Sequence, residues 1–123
     1  MRVVTKEEMY AIDRYAMELG LHGDMLMENA GQAVVRRLID DLAKRDRIIV
    51  CIGTGNNGGD GFVIARMLKS YGYKTSVWLI PKKEKIRGDA KKAMEVFERS
   101  GYKFHSLPDE GLLAFEASLS NSD

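Results

Sequence analysis

One glycine-rich segment concentrates the residue types that could bind a charged ligand. It reads Gly53-Thr54-Gly55-Asn56-Asn57-Gly58-Gly59-Asp60-Gly61 and lies between the apolar run 48–52 and an apolar stretch that begins at Phe62. Glycine allows positive φ angles and lets a ligand approach main-chain N–H groups closely. A helix that begins after such a loop adds free N–H donors and the positive end of its dipole. The segment therefore predicts a site for a phosphate-bearing ligand.

The spacing of the glycines does not by itself identify the ligand. Gly53, Gly55 and Gly58 satisfy the pattern G-x-G-x-x-G. The full dinucleotide fingerprint also needs an acidic residue about 20 positions later, at the end of the second strand. Here that strand ends at Ile80, and the first acid after it is Glu84. A standard nicotinamide dehydrogenase is disfavoured, and a P-loop is excluded because no Gly-Lys-Ser/Thr follows the glycines.

The polar residues of the loop admit more than one role. A carboxylate beside a bound phosphate would repel it, so Asp60 either caps the following helix or accepts hydrogen bonds from sugar hydroxyls, and both interpretations stay open. Asn56 and Asn57 tolerate left-handed geometry and would suit a turn. Their amides also offer donors and acceptors to a polar ligand or a cation. We favour ligand binding for the asparagines, because glycine alone would make the turn.

The elements that position this loop follow an α/β pattern. Two helices are predicted first, one from a capping box at Thr5 to a stop at Gly20 and one capped by Asp24. The next elements are strand 48–52, loop 53–60, helix 62–71, strand 74–80, a helix capped by Asp89 and stopped by Gly101, strand 102–105 and a helix from Pro108. Strands that alternate with helices predict a parallel sheet with right-handed crossovers. Ligands bind such sheets outside the carboxyl ends of the strands, where this loop falls.

Composition narrows the class of protein. The chain has 123 residues, which suits one domain. Its 19 basic and 18 acidic side chains argue against nucleic-acid binding through a broad positive field. The one cysteine, Cys51, excludes an intrachain disulfide and is predicted to be a buried core thiol. There is no signal-peptide stretch and no apolar run near the ~20 residues of a membrane span, so we expect a soluble cytoplasmic protein with no membrane partner.

Residues outside the loop carry weaker signals. Asn29 has two hypotheses: a buried hydrogen bond that supports the glycine loop, or a plain helix-face position beside Gly31, which would permit close packing. A basic group is predicted to be a solvated loop in preference to a site for a 2′-phosphate; it comprises Lys82, Lys83, Lys85 and Arg87. His22 and His105 fit no catalytic or metal-binding pattern, so we expect structural roles for both.

Two motifs together resemble the YjeF N-terminal domain family, which is the epimerase domain of NAD(P)H-hydrate repair enzymes. They are Asn56-Asn57-Gly58-Gly59-Asp60-Gly61 with Phe62-Val63-Ile64-Ala65-Arg66, and upstream Leu26-Met27-Glu28-Asn29-Ala30-Gly31. The resemblance extends over essentially the whole chain. It implies a Rossmann-like three-layer αβα sandwich with a mainly parallel sheet, preceded by two helices. It also implies an isomerase of nicotinamide nucleotide repair, which interconverts the R and S forms of hydrated NADH and NADPH.

The resemblance carries over to particular residues and partners. It implies that Asn56, Asn57, Gly58, Gly59 and Asp60 contact the hydrated dinucleotide and that the Asn57 side chain is one ligand of a potassium ion. It also implies a homodimer and a hydrate dehydratase, either fused or separate. The alternative is a non-catalytic nucleotide-binding or interaction module of the same fold.

The family pattern also extends past this sequence. In the family, a later strand that ends in a Val-Asp-Ala-x-Phe-Gly-Thr-Gly type segment, and a further Asp-containing loop, complete the metal and substrate sites and supply the acid/base. The sequence stops at Asp123 before either. We therefore expect residues 1–123 to be the N-terminal portion of a single epimerase domain, truncated and inactive alone, and we assign no catalytic residue.

Overall fold

A parallel four-stranded sheet organises the chain. The structure, a computed structural model, describes residues 2–4, 23–53 and 57–120, with the backbone alone for 2–4, 23–25 and 57–59. The strands lie side by side in chain order: β1 Arg2–Val4, β2 Arg47–Ile52, β3 Lys74–Leu79 and β4 His105–Ser106. Each adjacent pair is parallel. The predicted α/β class with a parallel sheet is confirmed.

Five helices and one 3-10 turn connect or follow these strands in the described part of the chain. They are α1 Gly23–Ile39, α2 Asn57–Ser70, the turn Lys83–Lys85, α3 Gly88–Arg99, α4 Leu107–Glu110 and α5 Leu112–Ser120. α2 packs between α1 and α3. None of the helices among the described residues is long and apolar enough to cross a bilayer.

The core lies between the sheet and the layer formed by α1, α2 and α3. α2 is apolar on most of its surface, as predicted, and its buried side chains include Phe62, Ile64 and Leu68. Because side chains alternate along a strand, Val77 and Leu79 of β3 join this core, whereas Trp78 faces the other side of the sheet. The position of α2 therefore depends on contacts with the sheet and with two neighbouring helices.

The N-terminal part of the sheet was not predicted. Residues 2–4 form β1 and pair in parallel with Ile48, Ile49 and Val50 of β2, so a strand precedes the helices and the prediction that helices come first is wrong. A run of three residues is too short to show strand periodicity, and pairing with β2 is what makes it a strand. The predicted first helix, with its capping box at Thr5, lies outside the described residues.

Several predicted boundaries also move. α2 begins at Asn57, so the predicted loop 53–60 ends sooner. Asp24 and Asp89 are not caps, since each lies within the first turn of its helix. The strand predicted at 102–105 occupies His105–Ser106. The helix predicted from Pro108 is two helices separated by Gly111, whose φ of 92° departs from helical geometry.

Cys51 is more accessible than predicted. It lies on β2 but on the face of the sheet away from the main core, in register with Trp78, and it is half-buried instead of buried. Burial still raises the pKa of its thiol, because the thiolate is poorly solvated there. The thiol is therefore neutral at physiological pH and is not an activated nucleophile.

Candidate nucleotide-binding site

The first turn of α2 follows the carboxyl end of β2 in the chain, with residues 53–56 between them. β2 ends at Ile52, Gly53 is exposed, and α2 begins at Asn57. The first four N–H groups of a helix have no partner within the helix. Asn57, Gly58 and Gly59 are the described residues of α2 that carry such groups. The structure thus places four of the predicted binding residues, Asn57 to Asp60, in the first turn of α2, and Asn56 lies outside the described residues.

Asp60 is turned into the protein. Its side chain is buried, with 1% of the residue exposed. The capping interpretation is wrong, because the helix begins three residues earlier than Asp60. A carboxylate in the first turn still interacts favourably with the positive end of the helix dipole. Contact between Asp60 and a ligand stays a prediction.

The end of β3 lies beside the end of β2. The Ile80 N–H donates to the Ile52 carbonyl at 2.8 Å, which extends the pairing of β2 and β3 by one residue. Ile80 itself is 36% exposed. A dehydrogenase carries its ribose-binding acid near this point, whereas this chain presents an apolar side chain. The surface beside the loop is therefore suited to an apolar part of a ligand.

α1 closely supports the helix that carries the site. A Cβ added to Gly31 would lie 2.4 Å from Cγ1 of Val63, so only glycine permits this separation of α1 and α2. The close-packing hypothesis for Gly31 is confirmed. Asn29 is exposed, so the alternative, in which it supports the loop through a buried hydrogen bond, is wrong.

The same two helices are joined by an ion pair that we did not predict. The Glu28 carboxylate accepts a hydrogen bond from the Arg66 guanidinium. Arg66 is the only charged residue between Phe62 and Leu68. A charged residue within an otherwise buried stretch of helix needs a partner. This rule could have predicted an ion pair for Arg66 from the sequence.

The basic segment after β3 is solvated, as favoured from the sequence. Lys82, Lys83, Lys85 and Arg87 are all exposed. The Lys83 Nζ lies 3.3 Å from Oε2 of Glu98 on α3. An exposed ion pair of this kind contributes little to stability, and the contact supports a surface role for the segment.

His105 has a partner that the sequence pattern did not reveal. Its Nδ1 lies 3.0 Å and 3.1 Å from the two carboxylate oxygens of Glu110. The imidazole also stacks on Trp78, with ring centroids 4.6 Å apart. The Ser106 N–H donates to Glu110 at 3.0 Å. These contacts join α4 to the end of β4, which agrees with the predicted structural role; His22 lies outside the described residues.

The described residues do not by themselves form a metal centre. No group of three or more His, Cys, Asp or Glu side chains within residues 23–53 and 57–120 could hold a metal ion. A potassium site built from amide and carbonyl oxygens would not produce such a group.

Comparisons with known proteins agree on one family. The family model described as "YjeF-related protein N-terminus" matches residues 23–118. A bifunctional NAD(P)H-hydrate repair enzyme of Moorella thermoacetica is 42% identical over 118 residues, covering 92% of this chain and 22% of that protein. An NAD(P)H-hydrate epimerase of Nitrosopumilus maritimus is 41% identical over 86 residues, covering 68% of this chain and 40% of that protein.

A solved structure gives the same result for the fold. The crystal structure of the yeast protein ynu0 superposes with a TM-score of 0.64 at 28% sequence identity. The match covers 89% of this chain and 49% of the yeast chain. The chain therefore spans less than half the length of each of these similar proteins.

Proposed function

This chain belongs to the YjeF-related N-terminal family, and from that membership we propose that it is the nucleotide-binding portion of an NAD(P)H-hydrate epimerase. The proposal takes residues 1–123 as the N-terminal part of one epimerase domain. The two relatives described above carry the names of an epimerase and of a bifunctional repair enzyme. Those names favour an enzyme over a non-catalytic binding module.

One structural observation carries the proposal. The largely buried helix α2 begins at Asn57, five residues after the end of the buried parallel strand β2, and Asn57, Gly58 and Gly59 in its first turn carry N–H groups with no partner within the helix. Such a turn binds phosphate through backbone donors and the helix dipole. We propose that it holds the pyrophosphate of the hydrated dinucleotide, with Asn56 in the same loop.

The proposed reaction inverts one carbon of the reduced nicotinamide. The hydroxyl-bearing carbon adjoins the ring nitrogen, whose lone pair expels hydroxide and leaves a planar cation. Water then adds to either face and loses a proton, which regenerates either epimer with atoms and charge balanced. The step needs a positioned acid/base. The role proposed for this chain is to bind and orient the dinucleotide.

Further components of the proposal concern the ion and the partners. We propose the Asn57 side chain as one oxygen ligand of a potassium ion, with the other ligands outside the described residues. A homodimer and a fused or separate hydrate dehydratase complete the proposed assembly. The bifunctional name of the Moorella thermoacetica relative supports the dehydratase.

The test follows interconversion of the separated R and S hydrates of NADPH by chromatography. It uses the full-length protein that contains this chain, with and without potassium. We expect Asn57→Ala to lower the rate about tenfold or more, because each lost polar contact in the site is worth ~1 kcal/mol or more, and to abolish the response to potassium. Asn29→Ala is the matched control, since Asn29 is exposed on α1.

Two results would contradict the proposal. The first is a full-length protein that neither binds NADPH nor interconverts the hydrates. The second is an Asn57→Ala variant that keeps the rate and the potassium response of the Asn29→Ala control.

A further inference from the structure

We propose that Glu28 and Arg66 are positioning residues, which set the placement of α2. They thereby set the geometry of its first turn, Asn57 to Asp60, which we call the glycine turn. The proposal rests on the proposed function for its effect on substrate. Its structural part is independent of that function. Neither residue lies in the turn itself, so any effect on binding must pass through α2.

The ion pair and the close contact form one interface. Gly31 follows Glu28 by three residues on α1, and Val63 precedes Arg66 by three residues on α2. Residues three apart on a helix share a face. The contact of Gly31 with Val63 therefore lies one turn from the ion pair, and the two contacts together fix both the separation and the rotation of α2 against α1.

The ion pair supplies a directional restraint that apolar packing does not. Most of α2 packs through apolar side chains, and burial of apolar surface is non-directional. Arg66 is 25% exposed and Glu28 is 47% exposed at the side chain. The pair is thus partly screened, but it favours the rotation of α2 that keeps Arg66 facing Glu28.

The ion pair lies only a short distance along α2 from the proposed site. Arg66 lies six residues after Asp60, which is about 9 Å along a helix at ~1.5 Å per residue. All the residues from Asp60 to Ala65 are buried. A small rotation or slide at Arg66 is therefore transmitted to the N–H groups of the first turn.

The cleft beside the ion pair holds a second carboxylate. Glu28 and Arg66 line a cleft of about 90 Å³ together with Met27, Val63, Asp89, Lys92, Ala93 and Val96. Asp89 belongs to α3, which packs against α2 and also contacts α1. In Glu28→Gln, Asp89 is the carboxylate left in the lining of this cleft, where Lys92 also lies. Loss of the Glu28 charge would therefore weaken the restraint between α1 and α2.

The experiment compares Glu28→Gln with a matched ion-pair variant, Glu98→Gln, in the full-length protein. The control pair, Lys83 with Glu98, has side-chain exposures of 50% and 41% and links the 3-10 turn to α3 instead of α1 to α2. We expect Glu28→Gln to raise KM for the NADPH hydrates about fivefold with a smaller change in kcat, and Glu98→Gln to leave KM unchanged. Arg66→Lys should recover part of the loss seen in Arg66→Gln.

A second readout needs no substrate and separates this inference from the proposed function. Amide chemical shifts of Gly58, Gly59 and Gly61 in the ligand-free protein should change in Glu28→Gln and not in Glu98→Gln. The charge-swapped double variant, Glu28→Arg with Arg66→Glu, should return these shifts toward the wild-type values.

The possible results distinguish the positioning role from an ordinary surface contact and from the proposed function. Equal amide shifts and equal KM in the two glutamine variants, with equal loss of thermal stability, would show that the Glu28–Arg66 pair is an ordinary surface contact. Changed amide shifts in a protein that binds no dinucleotide would support the positioning role and reject the proposed function.

Discussion

The close packing of α1 against α2 requires glycine at position 31. Its α-hydrogen faces Val63 of α2, where a Cβ would lie 2.4 Å from Cγ1 and 3.2 Å from Cβ. Val63 is 3% exposed, so its side chain cannot turn away into solvent. Glycine at this position lets α1 approach α2, although glycine is unfavourable within a helix.

We expect Gly31→Ala to destabilise the protein by about 1–3 kcal/mol, because overpacking outweighs the gain in helix propensity. Thermal or urea unfolding measures the effect. Val63→Ala should recover part of the stability when combined with Gly31→Ala, since it removes the clashing methyl group. Gly53→Ala is the control, because no atom lies within 4 Å of the position of an added Cβ. A stabilised Gly31→Ala variant would contradict the packing argument.

The position of Arg66 in an apolar run predicts an ion pair but does not identify the partner. Its charge interrupts an apolar run, and the rule that buried charges are paired predicts a partner. The identity of that partner depends on the folding of α1 against α2, since Glu28 is 38 residues away in sequence. Local spacing could therefore not identify it.

At the scale of elements, α5 is attached to the sheet through one aromatic contact. Phe115 meets Trp78 edge to face, with ring centroids 5.1 Å apart. The two leucines at the start of α5 are exposed, Leu112 by 60% and Leu113 by 83%. Phe115 therefore anchors α5 to the face of the sheet opposite the core.

We expect Phe115→Ala to loosen α5 and expose Trp78, which is the only tryptophan in the chain and is 2% exposed. Its fluorescence emission should shift to longer wavelength, and quenching by acrylamide should increase. Leu113→Ala is the control on the same helix and should leave both signals unchanged. The same emission spectrum in wild type and Phe115→Ala would mean that α5 does not shield Trp78.

At the scale of the whole molecule, we expect the proposed nucleotide binding to be separable from the proposed reaction. The glycine turn follows β2 at the start of α2, both within this chain. The resemblance places the acid/base on a later strand, and no Val-Asp-Ala-x-Phe-Gly-Thr-Gly type segment occurs in the present sequence. Binding and turnover should therefore be distinguishable by experiment.

We expect the 123 residues alone to bind NADPH weakly and to show no interconversion of the R and S hydrates above the spontaneous rate, because proton transfer by a positioned group is needed. Chromatography of the separated hydrates measures the rate, and NMR titration measures binding. Epimerisation by these residues alone would place the acid/base among them.

Some elements of the fold could be predicted from the sequence, and others could not. β2, β3 and α2 were predicted because long apolar runs bounded by glycine carry a strong local signal. The glycine turn was predicted for the same reason. β1 was missed because a strand of three residues is stabilised by its pairing with β2 and has no pattern of its own.

The sequence alone determined the class of fold, the turn after β2 and the family, since each depends on residue types at fixed spacing. Tertiary structure alone decided that Asp60 is buried, that Asn29 is exposed and that Glu28 pairs with Arg66. The physical reason is distance along the chain. Burial and ion pairing depend on which helices lie together, and that arrangement results from packing of the whole core.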